Sequence, residues 1–414
     1  MAGLSLSLAL VAGLVVWRVV DDPYVATPPE TAPAGAPAGE ASAVLQSLEE
    51  AVRTGDTRAA ADLAPAGDRR ARRLLTGLVT TAREAGVEGF SLRYVDELGG
   101  VDAEGAWSAA VATTWAFAGF DARPARTEVS FRFTGDTGDT DGAGDTTDTV
   151  AISGIGGSRA GEGRSPVWMS PGVEVRRSAD HLLLVDGGRA QADRLDRRVR
   201  TAVPAVRAVL GEWEGGLVVE VPSSSGALHR SLAADPGTYD RIAAVTTSVD
   251  GSLTGDAPVH VFVNPEVYGR LQPRGAQVVM SHEAVHVATD AALSTMPLWL
   301  LEGFADYVAL RDVRLPLSVT AGQVIRQVRR DGPPEALPGQ TEFDTAETHL
   351  GASYEAAWLA CRLLADLGGE AELVGLYRDV QSGDPVEEAL RARFGLGEAE
   401  LTRRWRAFLT DLSG

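Results

Sequence analysis

The chain is organised around residues 281–287, which read S-H-E-A-V-H-V and carry His282, Glu283 and His286 in the pattern H-E-x-x-H. Two histidines four residues apart lie about 40° apart around an α-helix, so both imidazoles leave one face and can bind one metal ion. Zinc accepts neutral imidazole nitrogens, and a catalytic zinc site keeps one position open for water. Glu283 is therefore a candidate base for that water. The alternative is a buried helix whose histidines only form hydrogen bonds.

The composition is that of a folded protein with an acidic surface. The 414 residues are 44% hydrophobic and 23% charged, and they carry a formal net charge of −19. Such a charge repels polyanions, so we expect no nucleic-acid partner. Cys361 is the single cysteine, which excludes an intramolecular disulfide and a cysteine-rich zinc site.

The N-terminal stretch is apolar over residues 4–20, at the short limit for a membrane span. We predict a transmembrane signal-anchor over residues 1–22 and a Pro/Ala-rich linker over residues 23–40. A cleaved signal peptide is the alternative, although the usual basic residues before the apolar run are missing. Both alternatives place the remaining chain outside the cytoplasm. The anchor further predicts a single-pass protein of the cell membrane, with its domains on the extracytoplasmic side.

A first folded domain of the α+β class is predicted over residues 41–188. Its early part, including residues 44–52 and 71–85, repeats apolar side chains at helical spacing. Strand-like segments follow at residues 90–95, 106–115, 126–133, 150–152 and 181–185. Helices followed by an antiparallel sheet resemble the NTF2-like (SnoaL-type) cone fold. That fold can hold a ligand, but a spacer or protein-binding role is the alternative, because no set of polar catalytic residues stands out.

A second, mostly helical domain with a small sheet is predicted over residues 189–414. A helix over residues 190–213 leads into strands at residues 217–221, 243–249 and 258–263. The last strand precedes the H-E-x-x-H helix, expected over residues 275–292. Extended substrates can pair with the edge strand of a sheet, and Val259–Val263 is the candidate for that strand. An ordinary core strand is the alternative.

Glu302 is the candidate for a third metal ligand. It lies 16 residues after His286, in the apolar stretch 298–310, which Pro297 is suited to begin. A carboxylate among large apolar side chains is costly to bury alone, and a metal ion is a natural partner. Asp306 lies four residues further along the same helix face. There it can accept a hydrogen bond from a ligand imidazole and fix its tautomer.

The motif H-E-x-x-H followed by W-L-x-E-G-x-A-x-Y at residues 299–307 resembles the gluzincin branch of zinc metallopeptidases, in the peptidase MA-like families. The resemblance implies one zinc ion per chain. It also implies that His282, His286 and Glu302 bind this ion, with Glu283 as the general base and Asp306 supporting a zinc-binding histidine.

A later helix supplies a candidate for stabilising the oxyanion. Related enzymes often place a tyrosine or a histidine from such a helix near the zinc. Tyr354, in a helix predicted over residues 353–364, is the candidate, and His349 is the reserve. A packing role is the alternative for each.

The sequence thus predicts a membrane-anchored extracytoplasmic zinc metallopeptidase acting on a peptide or protein substrate, with Glu283 as general base. The pattern G-x-M-E-N, which binds the substrate amine in aminopeptidases, is absent, and this favours an endopeptidase. The alternative is a non-catalytic binding or scaffold protein. In that case the NTF2-like domain would be the working part, and the zinc domain would be degenerate or regulatory.

Overall fold

The computed structural model describes residues 36–135, 150–157, 163–211, 213, 215–252, 255, 257–343 and 350–414. This part of the chain contains helices and two β-sheets, which confirms the α+β class.

Three helices begin the described chain and pack on an antiparallel sheet. They are α1 (Ala38–Thr54), α2 (Thr57–Asp62) and α3 (Arg69–Ala85). The sheet consists of β1 (Val87–Glu97), β2 (Ala106–Phe117), β3 (Ala125–Thr134) and β4 (Ala151–Ile155), each paired with the next along the chain. The carboxylates of Asp56 and Asp68 accept first-turn N–H groups of α2 and α3, which fixes where these helices begin.

The core of this first unit forms where the helices meet the sheet. Leu45, Leu48 and Leu75 project from α1 and α3, and Trp115 and Phe131 project from the sheet. All five are fully buried, so removing apolar surface from water holds the two layers together. The order of helices and then antiparallel strands is as predicted, and the NTF2-like assignment stays a prediction.

The second sheet has five strands, which are β5 (Glu174–Arg177), β6 (His181–Val185), β7 (Leu217–Val221), β8 (Ala244–Ser248) and β9 (Val259–Val263). Their order across the sheet is β5-β6-β7-β9-β8. The inner strands β6, β7 and β9 are parallel, and β5 and β8 pair antiparallel at the two edges.

Strand β6 lies in this second sheet, although the sequence pattern predicts it as part of the domain over residues 41–188. The boundary at residue 188 therefore falls between two hydrogen-bonded strands, β6 and β7. Successive strand side chains point to opposite faces. Accordingly, Leu182 and Leu184 join the core of the first unit, and Leu183 and Val185 join the core formed with the later helices. The sheet is shared between two cores.

Helices cover the other face of the second sheet. The two that lie against its strands are α4 (Arg189–Leu210) and α7 (Pro273–Ala288), which also pack against each other. The remaining helices are α5 (Ser225–Leu232), α6 (Pro265–Tyr268), α8 (Leu298–Leu310), α9 (Leu317–Thr320), α10 (Gly322–Asp331), α11 (Leu350–Gly368), α12 (Glu370–Gln381), α13 (Val386–Phe394) and α14 (Glu398–Ser413).

The edge strand beside the H-E-x-x-H helix differs from the predicted one. The candidate was Val259–Val263, but this strand lies inside the sheet, between β7 and β8. The edge is β8, which precedes β9 in the chain and pairs with it antiparallel. The prediction failed because chain order does not determine strand order in a sheet with crossovers.

The membrane prediction also requires correction. In the part of the chain that the structure describes, no helix is both long and apolar enough to cross a bilayer. The 22-residue helix α4, for example, carries six arginines and two aspartates. The predicted span over residues 1–22 lies outside the described residues. The described residues support neither a transmembrane helix nor the assignment to the cell membrane.

Candidate metal centre

Helix α7 carries the H-E-x-x-H motif and packs against α8 and strands β8 and β9. It begins at Pro273, where the N–H that proline lacks has no partner within a helix anyway. His282, Glu283 and His286 expose only 9%, 7% and 8% of their surface. Buried imidazole and carboxylate groups need polar partners. The element that packs on this face of α7 must therefore supply them.

Helix α8 lies opposite and supplies Glu302 and Asp306. It begins after Pro297, as the sequence predicts. Gly303 lets α8 approach α11 closely, because a Cβ at this position would lie 2.6 Å from the carbonyl carbon of Ala357 and 3.0 Å from Cys361 Sγ. The contact with α11 therefore fixes the position of the helix turn that bears Glu302.

The three predicted ligand atoms converge on one point. His282 Nε2 lies 2.9 Å from His286 Nε2 and 3.1 Å from Glu302 Oε2. His286 Nε2 lies 3.4 Å from the same carboxylate oxygen. A tetrahedral zinc ion with bonds of about 2.0–2.1 Å separates its ligand atoms by about 3.3 Å. The spacing therefore suits one shared ion.

Asp306 orients the first histidine. Its Oδ1 lies 2.8 Å from His282 Nδ1. A hydrogen bond donated by Nδ1–H to this carboxylate leaves the lone pair of Nε2 directed at the other two ligand atoms. This is the arrangement predicted for Asp306.

The charges around His282 and Glu302 favour a cation beside the carboxylates. Burial opposes the charged form of His282 and so lowers its pKa. The negative charges and hydrogen bonds of Asp306 and Glu302 have the larger effect, and they hold the pKa of the imidazole well above its usual value. Burial likewise opposes the charged form of Glu302 and so raises its pKa. The attraction and hydrogen bonds of His286 and His282 have the larger effect, and they hold the pKa of that carboxyl well below its usual range. Both shifts follow from acidic groups and imidazoles held close together away from water.

The donor set suits a divalent cation. Glu302 and Asp306 bring two carboxylates to the histidines, and among the described residues their ion pairs are with His282 and His286, not with arginines. Two imidazoles and one carboxylate are ligands that zinc accepts. Among the same residues, Nδ1 of His286 is buried without a hydrogen-bond partner. The group of His282, His286 and Glu302 could hold a metal ion, and zinc stays the prediction from the motif.

Glu283 is held from the side of the sheet. Its Oε2 lies 2.7 Å from the hydroxyl of Thr246 on the edge strand β8. The same hydroxyl lies 3.3 Å from the main-chain oxygen of Glu283. The carboxylate is thus held on the side of α7 that faces β8, and it lines the same cleft as His282.

A cleft of 530 Å³ opens beside His282 and Glu283, between β8 and helices α7, α8, α10 and α11. Tyr354 on α11 lines it, with its ring edge-on to that of His282 at 6.0 Å between centroids. Burial, followed by the charges of Glu302, Glu283 and Asp306, raises the pKa of Tyr354 well above its usual value, which keeps the phenol protonated. The reserve candidate, His349, lies outside the described residues.

Thr246 is not among the residues that the sequence pattern singles out. A threonine in a short strand is common, and its partner depends on which strand forms the sheet edge. The sequence shows only that Thr246 lies in a predicted strand near the H-E-x-x-H helix. Thr247 lies in the same strand, so this position does not distinguish the two threonines. Phe343, whose ring lies 5.0 Å from that of Tyr354, was also missed.

Comparisons with protein-family models, with curated proteins and with solved structures find no match to this chain. The gluzincin resemblance therefore depends on the two motifs and on the geometry of the residues that they contain.

Proposed function

We propose that this protein is a zinc-dependent peptide hydrolase. The observation that carries the proposal is the convergence of His282 Nε2, His286 Nε2 and Glu302 Oε2, with the carboxylate of Glu283 beside them at an open cleft. A purely structural pair of histidines would need neither the third ligand nor a carboxylate facing the cleft. An active metal site requires both.

In the proposed reaction, these three residues would hold a zinc ion, which would supply Lewis-acid polarisation of the scissile carbonyl and make water more acidic. Glu283 takes a proton from the attacking water and passes it to the leaving amine nitrogen. Asp306 keeps His282 in the tautomer that presents Nε2. Tyr354, protonated and in the same cleft, donates a hydrogen bond to the developing oxyanion.

Strand β8 offers a place for the substrate backbone. It is the edge of the second sheet, and its first residue, Ala244, lines the cleft beside Glu283 together with the preceding Ala243. An extended peptide can pair with such an edge through its main chain, whatever its side chains. The apolar residues Ile242, Val278 and Leu310 then favour apolar substrate side chains.

The test combines zinc content with turnover of a peptide library. Purified protein is expected to contain one zinc per chain and to cleave internal bonds of some peptides. Glu283→Gln should keep the zinc and lose activity by at least about 100-fold, because general-base catalysis contributes about 10²–10⁴-fold. Full activity in this variant would exclude Glu283 as the base.

A binding or scaffold protein is the competing function. Stoichiometric zinc without cleavage of any library peptide would favour it, and so would a chain that binds no zinc. No contact in the described residues favours this function specifically.

A further inference from the structure

We infer that Thr246 is a positioning residue, which holds the general base Glu283 in register with the strand that binds the substrate. This inference depends on the proposed peptidase function. The contact that supports it is the hydrogen bond from the Thr246 hydroxyl to Glu283 Oε2, at 2.7 Å.

The strand geometry directs this side chain at helix α7. Ala244, two residues earlier on β8, belongs to the core between the sheet and the helices, and Val245 packs against the core of the first unit. Because side chains alternate, Thr246 faces the helices as Ala244 does. Thr247 faces the other way, opposite His260 on β9.

One hydroxyl proton can serve only one acceptor at a time. The carboxylate oxygen is nearer than the main-chain oxygen, at 2.7 Å against 3.3 Å, and an ionised acceptor forms the stronger bond. Oε2 of Glu283 therefore accepts the hydrogen bond from the Thr246 hydroxyl. Among the described residues the second carboxylate oxygen, Oε1, accepts no hydrogen bond, so it can take a proton from water.

The same strand thus has two tasks. Its edge is where an extended peptide would pair, and its Thr246 side chain holds the base. Any shift of β8 moves the scissile bond and the base together, which keeps the reacting atoms aligned. Misplacement of a catalytic group by about 1 Å can cost about 100-fold in rate, so this coupling has a measurable consequence.

The experiment compares Thr246→Val, Thr246→Ser and Thr247→Val in the zinc-loaded full chain. Valine keeps the shape of threonine and removes the donor, so kcat should fall about 10- to 100-fold while KM stays within about threefold. Serine keeps the hydroxyl and should restore kcat to within about threefold of wild type. Thr247→Val, on the opposite face of the strand, is the matched control and should retain wild-type kcat.

Two measurements distinguish a positioning role of Thr246 from a general loss of folded structure. Zinc content should be unchanged in Thr246→Val. A double-mutant cycle with Glu283→Gln, measured by denaturant unfolding, should show that the two substitutions are coupled.

Wild-type kcat in Thr246→Val, no rescue by serine, loss of zinc, or additive effects on unfolding would each overturn the inference and leave the peptidase proposal standing. If the wild-type chain binds zinc and cleaves nothing, the proposed function fails and this inference fails with it.

Discussion

Of the two motif histidines, His282 has its Nδ1 held by a carboxylate, that of Asp306 at 2.8 Å. Asp306 therefore acts on the candidate metal centre through His282. Side chains of this kind commonly change metal affinity or activity by about 10- to 100-fold when removed.

Asp306→Ala should weaken zinc binding by about 10- to 100-fold, because the imidazole of His282 loses the acceptor that fixes its tautomer. Competition with a zinc chelator measures the change. Asp312→Ala is the control, since Asp312 is exposed and lies 3.7 Å from Arg311, away from the ligands. Equal zinc affinity in the two variants would contradict the orienting role.

Among single residues, the sequence predicted the convergence of His282, His286 and Glu302 but not the contact that holds Glu283. His282, Glu283 and His286 follow from helical spacing, and Glu302 and Asp306 follow from a second helix of clear pattern. Thr246 contacts Glu283 across 37 positions of the chain. No local pattern encodes that contact, because it requires the strand order of the sheet.

At the scale of elements, the centre depends on how closely α8 approaches its neighbours. Cys361 and Trp299 meet at this contact, where the sulfur lies 4.0 Å from the main-chain oxygen of Trp299. Gly303 is needed there because the two backbones leave no room for a side chain. The glycine that follows Glu302 in the motif therefore has a packing reason.

Gly303→Ala should destabilise the protein by about 1–3 kcal/mol, the usual cost of inserting a methyl group into a full core. It should also weaken zinc binding, because Glu302 moves with the helix. Denaturant unfolding and zinc titration measure the two effects. Gly39→Ala is the control, since a Cβ at Gly39 meets nothing within 4 Å and alanine favours helix. A variant at 303 as stable as the one at 39 would refute the packing argument.

Helices were easier to anticipate than the sheet for a physical reason. The period of apolar residues is local, so α4, α7 and α8 lie close to their predicted ranges. Strand pairing is not local: β7 pairs with β9 and skips β8. Strand β6 was placed in the first domain for the same reason. Its five residues are all buried, and a run of buried residues does not indicate which strand it pairs with.

At the scale of the whole molecule, the first unit covers the sheet face that lies away from the candidate metal centre. Its Asp121 reaches across to His260 on β9, at 3.0 Å from Nε2, and Glu220 on β7 lies 2.7 Å from Nδ1. All three side chains are buried. The first unit therefore acts as a cover that keeps this polar group and the apolar side chains of the sheet away from water.

The His260 cluster should make stability fall at alkaline pH. Burial opposes the charged imidazolium, but Asp121 and Glu220 outweigh it and raise the pKa of His260 to about 9. An unfolded histidine has a pKa of about 6.5, so the folded state binds the proton more tightly. The resulting stabilisation is fully present below pH 6.5 and is lost as the pH rises through about 9. The difference corresponds to about 3 kcal/mol at most.

Denaturant unfolding at pH 6, 7.5 and 9.5 measures this loss, and Asp121→Asn tests its source. The variant should be less stable at pH 6, because His260 loses a carboxylate partner, and its stability should change less between pH 6 and 9.5. Asp240→Asn removes the same charge beside His229 at an exposed position and should leave the pH dependence as in wild type. Parallel pH profiles for wild type and Asp121→Asn would mean that the contact between the first unit and the sheet does not depend on a charged His260.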